Sequence, residues 1–353
     1  MFPVGRVPSR GAFVNFQNTL LVQRQWKGHL NLKTIWIKPA LGSDGAGAGA
    51  TGATPHLSPN QQAWRRFRNN RMALACGWLL LGVIAVVLLA PLVLSLKPDT
   101  ISDAQFQPPS WGHWFGTDVH GRDLLARVLY GARISFLVGV VGAAVSLVIG
   151  VLWGAVAGYL GGRWDSLLMR LVDVLYSLPS IIFVIVLIAT LEPMLKGWLA
   201  STFSPAWASS ARMIFLFVGL GAVSWLTMAR IVRGQVLSLR TRPFIDASRG
   251  LGASHARLVL RHLLPNVAGV IIVYLMLTVP SIILYESFLS YLGLGIQPPQ
   301  ASLGSLLAEG AGQINPIRIY WWMLVCPATL LTTTLLALNF FGDGLRDAYD
   351  PRA

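Results

Sequence analysis

Long apolar runs, separated by shorter polar segments, dominate the chain. A helix needs about 20 mostly apolar residues to cross the hydrocarbon core of a bilayer. We expect spanning helices at about residues 72–96, 134–160, 167–191, 213–229, 266–291 and 320–341. Apolar residues follow one another in these runs instead of alternating with polar ones, so helices are expected and not membrane-spanning strands. The pattern predicts an all-α membrane protein built on a six-helix transmembrane bundle.

The composition points the same way. Of the 353 residues, 54% are hydrophobic and only 12% are charged. Soluble domains carry about 25% charged residues, so this chain has too few of them to cover a surface in water. A disordered chain would be far less hydrophobic. These proportions exclude both a soluble globular protein and a disordered one.

Positive charge is concentrated in two segments of the chain. The net charge is +14, with ten Lys or Arg before the first predicted span and seven between the fourth and the fifth. Basic residues accumulate in cytoplasmic loops, and six spans return the chain to its starting side. We therefore expect both termini in the cytoplasm. Because topology explains the basic residues, we expect no nucleic-acid partner.

Residues 1–56 have the character of an N-terminal extension. Residues 42–55 are almost all Gly, Ala, Ser and Thr, a composition typical of a linker. We expect this extension to be poorly ordered and assign it no function. The transmembrane domain is expected to occupy residues 57–353.

Motifs for catalysis are missing. The sequence contains no Gly-Lys dipeptide and therefore no phosphate-binding loop of the GxxxxGK[ST] type. One polar cluster contains His113, Asp118, His120 and Asp123, but its spacing matches no zinc site. Cys76 and Cys326 both lie inside apolar runs. We expect no catalytic residue, no metal and no cofactor.

Two carboxylates fall within the predicted spans, Asp173 and Glu286. Charge is costly in a bilayer, so such residues are functional candidates by default. Asp173 has Arg170 nearby as a partner for an ion pair, whereas Glu286 has no obvious partner. A secondary carrier driven by an ion gradient through Glu286 is therefore an alternative function for the chain.

Three glycines recur every four residues in the second predicted span, at Gly150, Gly154 and Gly158. This spacing places them on one face, and small residues allow two helices to approach closely in lipid. We assign them to helix packing. The spacing agrees both with ordinary packing inside the bundle and with a tight contact at a subunit interface or gate.

The segment between the fourth and fifth predicted spans, residues 240–265, has its own pattern of helix signals. Pro243 suits the first turn of a helix, and Gly252 suits a helix end because glycine accepts the left-handed conformation. Ser254 can cap a second short helix that carries Arg257, and Pro265 then begins the fifth span. We predict two short helices that meet at a glycine corner outside the bilayer, where a partner could dock.

The 240–265 segment resembles the EAA loop of ABC-importer permeases, whose pattern is Glu-Ala-Ala-x-x-x-Gly, nine residues, then Ile-x-Leu-Pro. Here the segment reads Asp246-Ala-Ser-x-x-x-Gly252, nine residues, then His262-x-Leu264-Pro265. Three other stretches are similar to the C permease subunit of the dipeptide/oligopeptide/nickel branch. They are Phe115-Gly-Thr-Asp-x-x-Gly-Arg-Asp-Leu-Leu-x-Arg-Val-Leu-Tyr-Gly-Ala-Arg-Ile-Ser135, Leu289-Ser-Tyr-Leu-Gly-Leu-Gly-Ile-Gln-Pro-Pro299 and Leu338-Asn-Phe-Phe-Gly-Asp-Gly-Leu-Arg-Asp-Ala-Tyr-Asp-Pro351. The resemblance runs in order from about residue 57 to residue 352.

This resemblance implies a permease subunit of an ATP-driven importer of di- and oligopeptides in the plasma (inner) membrane. The implied partners are a second homologous permease subunit, two cytoplasmic ATPase subunits and an extracytoplasmic substrate-binding protein. Coupling to the ATPase is implied for Asp246, Ala247, Ser248, Gly252, Arg257, Leu264 and Pro265. Asp246 stands where the family has Glu, and Ser248 where it has Ala, so the acid reaches one methylene less far.

The second candidate site is the 115–123 loop, which precedes the second predicted span. Its candidate residues are Thr117, Asp118, Gly121, Arg122 and Asp123. We expect this loop either to face the binding protein or to brace the second span.

Overall fold

A computed structural model of the protein describes residues 59–202, 205–298, 300–314 and 316–349. The chain divides into two units, Met1–His56 and Leu57–Ala353, and every described residue belongs to the second. The predicted N-terminal extension therefore lies outside the described residues, as do Pro299 and Pro351 of the family motifs.

Helices make up nearly all of the regular structure in the described residues. They are α1 (Pro59–Asn69), α2 (Arg71–Val93), α3 (Leu124–Leu160), α4 (Gly162–Ser177), α5 (Ser180–Thr202), α6 (Pro205–Leu239), α7 (Pro243–Gly250), α8 (His255–Arg257), α9 (Leu264–Tyr291), α10 (Leu303–Gly312) and α11 (Trp321–Tyr349). A π-helical stretch, Leu258–Leu263, joins α8 to α9. The described residues contain six stretches long and apolar enough to span a membrane, which confirms the predicted six-helix bundle.

The third predicted span, residues 167–191, is wrong. This region contains two helices, α4 and α5, and the spanning one is α5, Ser180–Thr202. Pro179 is the physical reason, because a proline disfavours the helical conformation of the residue before it. Leu178 is accordingly extended, with ψ of 135°, and α4 ends at Ser177.

Asp173 therefore lies in α4, outside the six candidate spans. Its side chain is 64% exposed, and its Oδ1 accepts a hydrogen bond from Arg230 Nη2 at 2.7 Å. The predicted pairing with Arg170 is thus replaced by an ion pair to α6. Other bounds also shift. Helix α3 begins ten residues before the predicted start of the second span, and α6 continues ten residues beyond the predicted end of the fourth, to Leu239. The fifth candidate span begins at His255 instead of residue 266, and α11 continues to Tyr349.

Close packing of α3 against α6 forms the centre of the bundle. Gly150, Gly154 and Gly158 all face α6, where an added Cβ at Gly154 would lie 3.0 Å from the backbone nitrogen of Arg233. The three glycines therefore adjoin another helix of the same chain. Because α3 has 37 residues, it is about 55 Å long. The 115–123 loop and the 240–265 segment consequently lie at opposite ends of the bundle.

Candidate functional site: the 240–265 segment and the 115–123 loop

Helix α7 has well-defined ends. Pro243 occupies its first turn, where the missing amide has no partner to lose. At the other end Gly252 has φ of +84°, the left-handed region. Gly252 N donates to Arg249 O at 3.0 Å, and Ala253 N donates to Ser248 O at 3.1 Å. These two bonds form a Schellman motif, so the chain turns sharply after α7.

The second predicted short helix is not separate from the fifth span. Ser254 Oγ accepts from Arg257 N at 3.4 Å, as a helix cap does. From His255 the helix then runs without interruption through α8, the π-helical stretch and α9. Leu264 N donates to Val259 O, five residues back. Pro265 has no amide and crowds the preceding turn, and the wider turn accommodates it.

Buried side chains fix this segment to the bundle. Ile245 of α7 and Leu258 and Leu263 of the π-helical stretch are all fully buried. They pack with Met228, Val232 and Val236 of α6 and with Ala155 of α3 in one cluster. The orientation of α7 is therefore set by α3 and α6.

The opposite face of α7 is open. The Asp246 side chain is 65% exposed, and its Oδ1 accepts from Arg249 Nη1 at 3.4 Å. Leu251 is 90% exposed, and Ala247 is exposed as well. We call Asp246, Ala247, Arg249 and Leu251 the α7 surface. The α7 surface thus presents one apolar side chain beside an acid and a base on a helix that is anchored from below.

The remaining predicted residues lie around this surface. Ser248 Oγ donates to Phe244 O at 2.8 Å within α7, while Arg257 is exposed on α8. Leu264 and Pro265 lie at the start of α9, where they form the base of the segment. Sequence reasoning missed Ile245 and Leu251. The sequence signal for Leu251 is its position between Gly250 and Gly252, in a segment predicted to lie outside the bilayer.

Polar contacts tie the segment to the end of α3. Tyr159 Oη and His255 Nδ1 lie 2.5 Å apart and share a hydrogen bond. Arg240 Nη1 donates to Tyr159 O at 3.1 Å. The end of α3 is therefore linked both to the start and to the second half of the segment.

An ion pair joins α4 to α6 nearby. Arg233 donates to both oxygens of Asp165, with Nε at 2.5 Å and Nη2 at 2.6 Å. Hydrogen bonding from the Arg233 guanidinium lowers the pKa of Asp165 below its ordinary value. The carboxylate therefore stays ionised and holds α4 against α6.

The 115–123 loop is organised around Asp118, which is fully buried. Its Oδ1 accepts from the backbone amides of His120 and Arg122 at 2.8 and 2.9 Å. Its Oδ2 accepts from Arg122 Nε at 2.6 Å and from Arg127 Nη1 at 2.8 Å. Burial alone would raise the pKa of Asp118, but these amides and guanidinium groups together lower it.

Other predicted loop residues support the same structure. Gly121 has φ of +70°, Thr117 is buried, and Asp123 Oδ1 caps α3 by accepting from Ala126 N at 3.0 Å. Arg127 extends the network, since its Nη1 and Nη2 donate to Glu309 of α10 at 2.5 and 2.9 Å. These contacts hold the loop against the first turn of α3 and against α10. The described residues include no group of three His, Cys, Asp or Glu side chains placed to hold a metal.

Glu286 has partners that the sequence did not reveal. It is fully buried, and its carboxylate accepts from Ser135 Oγ at 2.9 Å and from Ser290 Oγ at 2.7 Å. It lies five residues before the end of α9, on the side of the 115–123 loop. This cluster joins α3 to α9, as expected for a buried polar group with satisfied hydrogen bonds.

Comparison with known proteins agrees with this architecture. Residues 150–353 match the family described as binding-protein-dependent transport system inner membrane component, and residues 58–109 match the N-terminal TM domain of oligopeptide transport permease C. The oligopeptide transport system permease protein OppC of Escherichia coli (strain K12) is 48% identical over 295 residues, covering 83% of this chain and 91% of that protein. The dipeptide transport system permease protein DppC of Bacillus subtilis (strain 168) is 43% identical over 300 residues, covering 84% and 87%.

A solved structure is also similar, entitled "Inward facing conformations of the MetNI methionine ABC transporter: CY5 native crystal form". It shares 20% identity, with a TM-score of 0.48, over 64% of this chain and 97% of that one. The matches to the two families and to OppC and DppC confirm the resemblance carried by the four sequence motifs. This chain belongs to the inner-membrane permease subunits of binding-protein-dependent ABC importers, in the branch of the peptide permeases.

Proposed function

We propose that this chain forms one half of the translocation pathway of an ATP-driven importer of di- and oligopeptides. Support for the substrate class comes from the names of the relatives, which are oligopeptide and dipeptide permeases. A second homologous permease would complete the pathway. Since the sequence has no phosphate-binding loop, two separate cytoplasmic ATPase subunits would supply the energy.

The α7 surface is the proposed contact with the ATPase, and its anchored position is the observation that carries the proposal. Moving a two-state element from about 1:99 to 99:1 needs about 5.5 kcal/mol of differential interaction. A single exposed salt bridge contributes at most about 1 kcal/mol. A larger rigid contact is therefore required. Ile245, Leu258 and Leu263 make α7 rigid by their burial against α3 and α6.

The proposed topology follows from the position of this contact. If the α7 surface meets a cytoplasmic ATPase, six spans place both termini in the cytoplasm and the 115–123 loop outside. Near that loop Trp111 is 98% exposed and Trp114 is 60% exposed. These two aromatic side chains are the proposed contact with a substrate-binding protein, since exposed tryptophan is enriched in protein interfaces.

The alternative, a secondary carrier that uses Glu286, is less well supported. The relatives are subunits of binding-protein-dependent systems and not carriers that act alone. The hydroxyl groups of Ser135 and Ser290 also give Glu286 a structural explanation, because they satisfy its buried carboxylate.

Substitution of Gly252 tests the coupling. Gly252→Val should disrupt the turn after α7, because valine strongly disfavours φ of +84°. Gly250→Val is the matched control, since Gly250 also has open space around it but no positive φ. In proteoliposomes with the partner subunits, Gly252→Val should hydrolyse ATP without importing a labelled tripeptide, while Gly250→Val should retain most of its uptake. Wild-type uptake by the Gly252 variant would refute the coupling.

The substrate class is tested separately in the same proteoliposomes. Unlabelled tri- and pentapeptides should compete with the labelled tripeptide, whereas free amino acids and nickel ions should not. Competition by nickel and not by peptides would refute the substrate class while leaving the coupling intact.

A further inference from the structure

A groove lies between α2, α3, α9 and α11 and opens on the outside of the bundle. Its volume is about 470 Å³, which is within the range of ligand-binding clefts. The lining is almost entirely apolar and includes Val83 and Ile84 of α2, Phe136 and Val140 of α3, and Ile283 of α9. An apolar groove on the membrane-facing side of a bundle is accessible to lipid.

One cation lines this groove, the guanidinium of Arg133. Its Nε donates to Val87 O at 2.8 Å and its Nη2 to Leu88 O at 2.5 Å, both in α2. No described residue accepts a hydrogen bond from Nη1. Val87 lies six residues before the end of α2 at Val93, so Arg133 is placed toward the end of the bundle that carries the 115–123 loop. An anion approaching along the bilayer surface can reach it there.

We propose that this groove binds a glycerophospholipid. The phosphate accepts from Arg133 Nη1, and an acyl chain lies along Val83, Phe136 and Val140. A phospholipid supplies both features in one molecule. A neighbouring transmembrane helix fits less well, because its backbone carbonyls are already hydrogen-bonded and it brings no anion to Arg133.

The requirement for phosphate is tested with two lipids that share their acyl chains. Phosphatidylglycerol and diacylglycerol are titrated into the delipidated transporter assembly, and bound lipid is counted by native mass spectrometry. The wild type should bind phosphatidylglycerol about tenfold more tightly than diacylglycerol, because only phosphatidylglycerol offers Arg133 a charge-assisted hydrogen bond. In Arg133→Gln the two lipids should bind equally. A wild-type assembly without preference would overturn the assignment of the phosphate.

The groove itself is tested without changing Arg133, which also holds α2. Val140→Trp fills the groove, and Val148→Trp is the matched control on the same helix, with both valines similarly exposed at 59% and 56%. Val140→Trp should abolish the tight binding of phosphatidylglycerol, and Val148→Trp should leave it unchanged. Equal binding by both variants would overturn the proposal, as would a density map of the assembly with a protein helix in the groove.

Discussion

At the scale of single residues, Asp118 shows how one carboxylate can organise a whole loop. Two backbone amides and two guanidinium groups donate to it in a site fully removed from solvent. Removing one partner of a buried ion pair is strongly destabilising, because the other charge stays buried without compensation. The loop and the start of α3 therefore depend on this one side chain.

Asp118→Asn should lower the free energy of unfolding by about 3 kcal/mol or more at pH 7. The pKa of Asp118 is lowered in the folded protein, so its contribution is complete above the unfolded value of about 3.9 and is lost as the pH falls through the folded value. The difference in Tm between wild type and variant should therefore shrink below about pH 4. Thermal unfolding in detergent, measured from pH 7 to below about pH 4, gives this difference in Tm.

The matched control is Asp103→Asn, which changes an exposed acid of the same connection. Its Tm should equal that of the wild type at every pH. A difference between wild type and Asp118→Asn that stays constant on acidification would show that ionisation of Asp118 is not the cause.

At the scale of helices, Pro91 leaves one backbone carbonyl of α2 without its usual donor. Pro91 lies inside α2 and has no amide, so Val87 O, four residues back, loses its usual donor. Arg133 Nε supplies a replacement across the interface at 2.8 Å. The arginine on α3 thus compensates for the proline in α2.

This compensation predicts a coupling between the two positions. Arg133→Gln alone should destabilise the protein by about 1 to 3 kcal/mol, because it leaves Val87 O unsatisfied. In the background of Pro91→Ala the same change should cost less, since the amide of residue 91 can then bond to Val87 O. A double-mutant cycle of unfolding free energies measures the coupling. Strictly additive effects would contradict this account.

The contact of α3 with α6 gives a second prediction at this scale. Gly154→Leu should separate the two helices and reduce stability by about 1 to 3 kcal/mol, because a Cβ there meets the backbone of α6. Gly82→Leu on α2 is the matched control, as no atom lies within 4 Å of its added Cβ. The two variants are compared by their Tm and by the yield of folded protein in size-exclusion chromatography. Equal losses would point to a general effect of leucine.

The sequence predicted helices well and their interruptions less well. Apolar runs locate spans because every helix that crosses a bilayer must cover the same thickness. The proline and glycine signals correctly predicted the start of α7 at Pro243 and the turn after it at Gly252. The break at Pro179 was missed because the apolar run continues across it. The partners of Arg127 and Glu286 could not be predicted either. They lie as many as 182 and 151 positions away along the chain, and only the packing of α3, α9 and α10 brings them together.

At the scale of the whole molecule, α3 is the element that reaches both ends. Near its first residues, Arg127 joins it to the 115–123 loop and to α10. Near its last residues, Tyr159 joins it to His255 of the 240–265 segment. A continuous helix about 55 Å long can pass a displacement from one end of the bundle to the other. A motion of α7 therefore has a direct mechanical route across the bundle.

Tyr159→Phe should weaken this route without disturbing the fold. The change removes one hydroxyl from an exposed hydrogen bond to His255 and keeps the ring, so uptake per ATP hydrolysed should fall by about two- to tenfold, as expected for about 0.5 to 1.5 kcal/mol. Tyr130→Phe is the matched control at the other end of α3. The Tyr130 ring lies 5.2 Å from the Arg133 guanidinium, and its hydroxyl has no part in the proposed route. Simultaneous measurement of uptake and ATP hydrolysis in proteoliposomes separates coupling from catalysis, since only the ratio should change. Unchanged ratios in both variants would mean that the force from α7 travels instead through the buried contacts of Ile245 with α6, or through α9, which continues the segment without interruption.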